Sequence, residues 1–334
     1  MQKKKKVFFF TSSPSGGGAE KQLIKIHDSI KESYDCSFFV AKDSSKISYI
    51  KSFNKKRTSF SFFNLLKELG KFKPDILFTT LPTPNFLNVF IKKIFRFKYI
   101  SVVRIAHYNL NLKTTKSIIK NSNIVLFNSY ENMNLYKQNF RKSSGKFYYL
   151  NNIVDEFDNV LDSKDSSSNI VRGIVASSLA HRKGIDVLIK AVNKIEDTNF
   201  FVDIYGTGPE YEYLKGILKN PNIKIMNKSV DLHNIWKEYD MFLLPSRSEG
   251  LSNSLLEAQA NNLFSIVSDC LTGNKEILEL TNNGIVFESE NYLDLKLKIE
   301  NFLNLQYSKT NSRKTIISNF SKIKVQNTLN NLFN

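Results

Sequence analysis

The chain has 334 residues, 41% hydrophobic, 24% charged and 13% aromatic, with a formal net charge of +17. This length is more than twice an ordinary domain and the apolar share is too large for a disordered chain, so two packed domains are expected and a single small binding module is excluded. Residues 1–150 hold 28 Lys and Arg against 8 Asp and Glu, a balance of +20, while the remainder stands at −3, so the first half should attract something anionic.

Short runs dense in β-branched and aromatic residues alternate with helix-period stretches, the pattern of βαβ units and parallel sheets. In the first half, strands are expected near Lys6 to Phe10, Cys36 to Ala41, Ile76 to Thr79, Tyr99 to Arg104, Ile124 to Phe127 and Lys146 to Leu150. The polar run from Asp162 to Ser168 reads as a linker. A second series follows, with strands near Ile170 to Ala176, Phe200 to Tyr205, Ile223 to Met226, Met241 to Pro245, Phe264 to Ser268 and Gly284 to Phe287. Its helices should begin near Lys183, Pro209, Asp231, Ser252 and Gly273, and Thr310 to Asn334 reads as one last amphipathic helix. The expected division is a basic first domain over 1–154, a linker over 155–169, a second domain over 170–308 and a tail helix over 309–334 that packs back on the first domain. Two doubly wound α/β domains of this kind would face across a cleft and bind ligands at the carboxyl ends of their strands.

Cys36 and Cys270 cannot make a disulfide framework, and the apolar run Val7 to Phe10 is too short for a signal peptide. No apolar run approaches the ~18–20 residues of a bilayer span. The expectation is a soluble, cytoplasmic chain.

Four segments carry candidate chemistry. Ser15-Gly16-Gly17-Gly18 follows the first strand and opens a helix, which suits either a tight turn or a loop that lets a diphosphate approach the backbone. His181-Arg182-Lys183-Gly184-Ile185-Asp186 leads from strand to helix; Lys183 is there a candidate point charge for a phosphate, and the pair Arg182 and Lys183 equally fits a solvated face. Gly206-Thr207-Gly208-Pro209 reads as a structural turn beside the site. Ser246-Arg247-Ser248-Glu249-Gly250-Leu251-Ser252 follows the apolar strand, with Glu249 in the loop and Glu257 expected about two turns into the next helix. Eight helical residues would advance ~12 Å, the span from a hexose to the ribose of its nucleotide.

The Glu249 and Glu257 pattern, within Ser-Glu-Gly-Leu-Ser-Asn-Ser-Leu-Leu-Glu-Ala, resembles the signature of the family 4 glycosyltransferases, retaining enzymes of the two-domain GT-B fold. The other segments fall in that family's order, and Asn152-Ile153-Val154-Asp155 resembles its hinge. The resemblance implies that Glu249 contacts hydroxyls of the donor sugar and Glu257 the ribose. It implies that Lys183 neutralises the diphosphate, with Arg182 beside it. It also implies that amides of Gly250, Leu251 and Ser252 assist, that Gly17 and Gly18 face the same phosphates, and that His107 lines the sugar site. Ser178 stands where the family usually has Arg, which leaves Arg182, Arg172 and Arg247 as substitutes.

No two aspartates lie two residues apart, so an Asp-x-Asp metal site is absent from the sequence and neither metal nor cofactor is expected. The expected reaction is transfer of a hexose-type sugar from a nucleotide diphosphate sugar, UDP being the expected nucleotide, to a lipid-linked saccharide in surface polysaccharide assembly. Lys3 to Lys6, Lys55 to Arg57, Lys92, Lys93 and Arg96, interleaved with Phe60, Phe62, Phe63, Phe90, Phe95 and Phe97, form a candidate patch for the anionic inner membrane surface. Nucleic acid is not an expected partner, since no recognised binding motif occurs. The rival readings are an epimerase or hydrolase of the same fold, and a non-enzymatic basic protein that binds carbohydrate or nucleic acid.

Overall fold

The computed structural model describes residues 3–12, 17–40, 56–57, 62–95, 98–106, 113–155, 170–228, 232, 235–271, 273–304 and 311–333. The chain divides into two units, Met1–Ile153 together with Lys322–Asn334, and Val154–Ser321. The expected linker 155–169 lies outside the described residues apart from Asp155.

The first unit is built on seven parallel strands: β1 (Lys6–Thr11), β2 (Asp35–Val40), β3 (Lys56–Arg57), β4 (Ile76–Thr80), β5 (Ile100–Ile105), β6 (Ile124–Phe127) and β7 (Phe147–Tyr149). They lie in the order β3-β2-β1-β4-β5-β6-β7. Its helices are α1 (Gly18–Ile30), α2 (Phe62–Phe72), α3 (Pro82–Phe95), α4 (Lys113–Asn121), α5 (Tyr130–Asn139) and the last helix of the chain. The strands read as unbroken apolar runs because both faces are covered. Val7, Phe9, Ile76, Phe78, Val102 and Leu126 meet Leu23 and Ile26 of α1 on one face. Phe8, Phe10 and Leu77 meet Leu65 and Leu69 of α2 on the other. The two-residue β3 is too short to leave a periodic signal, and its Lys56 and Arg57 read in sequence as part of a basic patch.

The second unit holds six parallel strands, β8 (Val171–Ala176), β9 (Phe200–Tyr205), β10 (Ile223–Ile225), β11 (Met241–Leu244), β12 (Phe264–Ser268) and β13 (Gly284–Phe287), in the order β10-β9-β8-β11-β12-β13. Its helices are α6 (Ile185–Val192), α7 (Tyr211–Gly216), α8 (Asn253–Ala260), α9 (Asn274–Thr281), α10 (Tyr292–Asn304) and α11 (Ser312–Asn319). Of the helix expected near Asp231, the described residues contain only a 3-10 turn over Trp236–Glu238. In both sheets the strand order reverses beside the first strand, between β1 and β4 and between β8 and β11. At such a switch point neighbouring loops diverge and leave room for a ligand.

The tail is two helices, where one was expected. The first, α11, ends at Asn319, and α12 (Lys322–Phe333) follows. Ile316 and Phe320 belong to the core of the second unit, whereas Val325, Leu329 and Phe333 belong to that of the first, where α12 lies against α1. One uninterrupted helix cannot serve two separate cores, so the chain breaks at Phe320 and Ser321.

Candidate functional site

After β8 the chain makes a 3-10 turn over His181–Lys183 and then passes through Gly184, whose φ of 61° lies in the left-handed region. A Cβ at Gly184 would sit 1.9 Å from the Pro245 carbonyl oxygen, so only glycine lets this turn touch the end of β11. Helix α6 therefore begins at Ile185, and Lys183 stands in the turn before it. Arg247 fastens the same two loops together. Its backbone N–H donates to the Arg182 carbonyl at 2.8 Å, and its guanidinium donates to both oxygens of Asp186 at 2.8 and 2.9 Å and to the His181 carbonyl at 2.6 Å.

This fastening brings Lys183 and Glu249, 66 residues apart, together at the switch point between β8 and β11. The Lys183 ammonium donates to Glu249 Oε1. Ser246 Oγ donates to the same oxygen at 2.8 Å, and Arg182 Nη1 lies 3.7 Å from Oε2. Glu249 is 5% exposed and Lys183 9%, while the Arg182 side chain is half exposed. Burial pushes the Glu249 carboxyl up, but the Lys183 charge and hydrogen bond, then Ser246 and Arg182, outweigh it and hold the group below its ordinary range.

The loop from Glu249 runs through buried Gly250 and Leu251 to Ser252, which caps α8 by accepting from the Leu255 N–H at 3.4 Å. The loop after β12 closes on this segment at Gly273, whose φ is 64° and whose Cβ would lie 2.2 Å from the Gly250 carbonyl oxygen. Because residues 249–252 are loop, Glu257 stands one turn into α8, half-buried, and not two. The helical advance to it is ~6 Å, half of that expected from eight helical residues.

Of the three candidate substitutes for the missing arginine, two are engaged elsewhere. Arg172 pairs with Asp203 at 2.8 Å near the start of β8, away from the carboxyl end of the sheet, and Arg247 is held by Asp186 and Glu290. Arg182 remains beside exposed Ser178 on the same loop. Gly17 and Gly18 are exposed at the start of α1, where Gly17 is the N-cap. His107 lies outside the described residues, as do Lys55, Phe60, Arg96 and Phe97 of the basic patch. In that patch Lys5 and Lys6 donate to the carbonyls of Phe333 and Phe72, so both work inside the first unit, while Phe63 is 78% exposed. Sequence reasoning missed Ser246 as a partner of Glu249 and Asp186 as a partner of Arg247, since neither pairing has a local signal. Among the described residues no group of three His, Cys, Asp or Glu could hold a metal, and no helix is long and apolar enough to cross a membrane.

Residues 164–322, nearly the whole second unit, match the family model described as glycosyl transferases group 1. The GtfA subunit of a UDP-N-acetylglucosamine–peptide N-acetylglucosaminyltransferase from Streptococcus pneumoniae is 34% identical over 123 residues, 35% of this chain and 24% of that protein. The match thus spans about a quarter of that relative's length. The capsular polysaccharide biosynthesis glycosyltransferase CapM of Staphylococcus aureus is 25% identical over 223 residues, 60% of this chain and 57% of CapM. Among solved structures, Anabaena Alr3699/HepE in complex with UDP and glucose superposes with a TM-score of 0.80 at 16% identity, covering 98% of this chain and 99% of that one. The fold is the two-domain α/β architecture of the GT-B class.

Proposed function

We propose that the chain is a retaining glycosyltransferase that moves a hexose-type sugar from a nucleotide diphosphate sugar, UDP-linked, to a lipid-linked saccharide acceptor in surface polysaccharide assembly. The observation that carries this reading is the buried Lys183–Glu249 pair at the switch point of the second unit, flanked by Arg182 and the start of α8. The group 1 match over the same unit, a capsular glycosyltransferase among the relatives and a UDP-bound neighbour of the same fold support it.

Departure of a nucleotide diphosphate builds negative charge on its β-phosphate and positive charge at the anomeric carbon. On donor binding the Lys183 ammonium turns from Glu249 to the diphosphate oxygens, joined by Arg182 and the amides of Gly250, Leu251 and Ser252 at the positive end of α8. Glu249, released from Lys183 but still held by Ser246, accepts from sugar hydroxyls and orients the anomeric carbon. Glu257 takes the ribose hydroxyls. Gly17 and Gly18 admit phosphate oxygens to the backbone at the start of α1. The first unit receives the acceptor, and its basic surface with exposed Phe63 meets anionic lipid on the inner face of the membrane. The test is radiolabelled transfer from a panel of nucleotide sugars to a lipid-linked saccharide, with a donor-only control. Incorporation that Glu249→Gln and Lys183→Ala both abolish is the expected result. Donor turnover without acceptor, at the same rate as with it, would refute transfer.

A further inference from the structure

The carboxyl end of the first unit's sheet has a feature that the donor site does not use. On the face covered by α1 and α12, the strands carry apolar residues up to their last turn: Val7 and Phe9 on β1, Ile76 and Phe78 on β4, Val102 on β5, Ile124 and Leu126 on β6. Alternation puts Thr11, Thr80, Arg104 and Asn128 next on that same face. Register agrees, since Thr80 pairs with Arg104 and Arg104 with Leu126, while Phe10, the residue before Thr11, pairs with Thr79. Thr11 and Thr80 thus flank the switch point of this sheet. Asn132 follows four residues after Asn128, in the first turn of α5, whose N-cap is Ser129.

All five are buried, Arg104 to 1% exposure and Asn132 to 0%. Thr11 Oγ1, Thr80 Oγ1, Arg104 Nε, Asn128 Oδ1 and both side-chain polar atoms of Asn132 have no hydrogen-bond partner. These are six of the twelve such atoms among the described residues, concentrated at one edge of one sheet where buried polar groups are ordinarily satisfied. The Arg104 guanidinium donates through Nη2 to Asn152 Oδ1, and among the described residues no carboxylate lies within ion-pairing distance of it. Burial pulls the guanidinium pKa down to about 10, so it stays charged at neutral pH.

A buried cation with no carboxylate partner among the described residues, in a row along the strand ends with unused hydroxyl and amide groups, is a half-built complex. We propose that this edge is a binding site for an oxyanion, carboxylate or phosphate, carried on a polyhydroxylated ligand, with Arg104 as its charge partner and Thr11, Thr80, Asn128 and Asn132 as its hydroxyl and amide partners. The ligand's role as acceptor rests on the transferase reading, which makes the acceptor an acidic or phosphorylated saccharide; its binding does not. The guanidinium supplies the charge-assisted bonds that discriminate the anion, and the neutral groups read the hydroxyls beside it.

The experiment is calorimetric titration of the full chain with glucuronate, glucose 1-phosphate and glucose, each with and without excess UDP to occupy the donor site. At least one of the two anionic sugars should bind tenfold or more tightly than glucose with UDP present, and which of the two does so identifies carboxylate or phosphate. Arg104→Gln should erase that preference, and Thr80→Val, which keeps shape and should fold even if Arg104→Gln does not, should weaken the preferred anion severalfold. Equal binding of all three sugars, binding of none, or a preference that survives both substitutions would overturn the proposal. UDP affinity, measured separately, reports on the second unit, so failure of the donor site and failure of this site are read from different titrations.

Discussion

Removing one partner of the Lys183–Glu249 pair should cost far more than removing both. Glu249→Gln leaves the Lys183 ammonium, 9% exposed, without its counter-charge, and breaking a buried pair in this way costs about 3–5 kcal/mol. Lys183→Met leaves the carboxylate with Ser246 at 2.8 Å and the half-exposed Arg182 at 3.7 Å, which soften the loss to about 2–3 kcal/mol. In the double variant no buried charge is stranded, so stability should return to within about 1 kcal/mol of the parent and the coupling energy should be about 3 kcal/mol or more. Urea denaturation of the four proteins reads these values. Single effects that add to within about 0.5 kcal/mol would show that the two groups do not interact, and the site as described would be wrong. The pH profile gives a second reading of the same pair. The folded Glu249 pKa lies below its ordinary 4.5, so its contribution is present above that value and is lost as pH falls through the folded one. The parent should therefore lose stability faster than Glu249→Gln on acidification below 4.5.

Gly184→Ala should destabilise the protein by about 2 kcal/mol or more, because φ is 61° and the new Cβ would overlap the Pro245 carbonyl; thermal unfolding measures it, together with loss of stabilisation by nucleotide sugars. Arg247→Ala leaves buried Asp186 with only the half-exposed Lys190 at 3.5 Å and should cost about 2–3 kcal/mol, whereas Arg247→Lys, lacking the bidentate fork, should recover less than half of that in urea denaturation. Leu329→Ala, in the α12 helix buried against the first unit, should cost about 2–5 kcal/mol; an unchanged denaturation midpoint would contradict the packing of α12. Turnover should survive EDTA, and loss of activity restored by Mn²⁺ would refute a metal-independent mechanism.

Much of the fold is legible because parallel strands buried on both faces cannot alternate. Ile124–Phe127, Phe200–Tyr205, Phe264–Ser268 and Gly284–Phe287 begin and end where apolar runs and turn residues put them. The two-residue β3 has no such run. The break at Phe320 leaves only a change of phase: Val325 and Leu329 lie about half a turn around a helix from Ile316 and Phe320, and the two pairs belong to two different cores. At the site, Lys183 and Glu249 were separately recognisable, but their contact was not: it depends on β8 and β11 being neighbours and on Gly184 admitting Pro245. Ser246 and Asp186 look like ordinary surface residues until the same adjacency brings them to Glu249 and Arg247. Glu257 stands one turn into α8 and not two, because the helix begins only after Ser252, the start that the sequence itself offers, and Gly250 and Leu251 stay in the loop.

The most direct measurement of the central claim is thermal unfolding of the parent and Lys183→Ala across a panel of nucleotide diphosphate sugars. A cognate donor at ~100 times its dissociation constant should stabilise the parent by ~2.7 kcal/mol, and Lys183→Ala should lose most of that increment while retaining its own cooperative transition. A panel that stabilises neither protein, or stabilises both equally, would contradict the assignment of Lys183 and Glu249 to the donor.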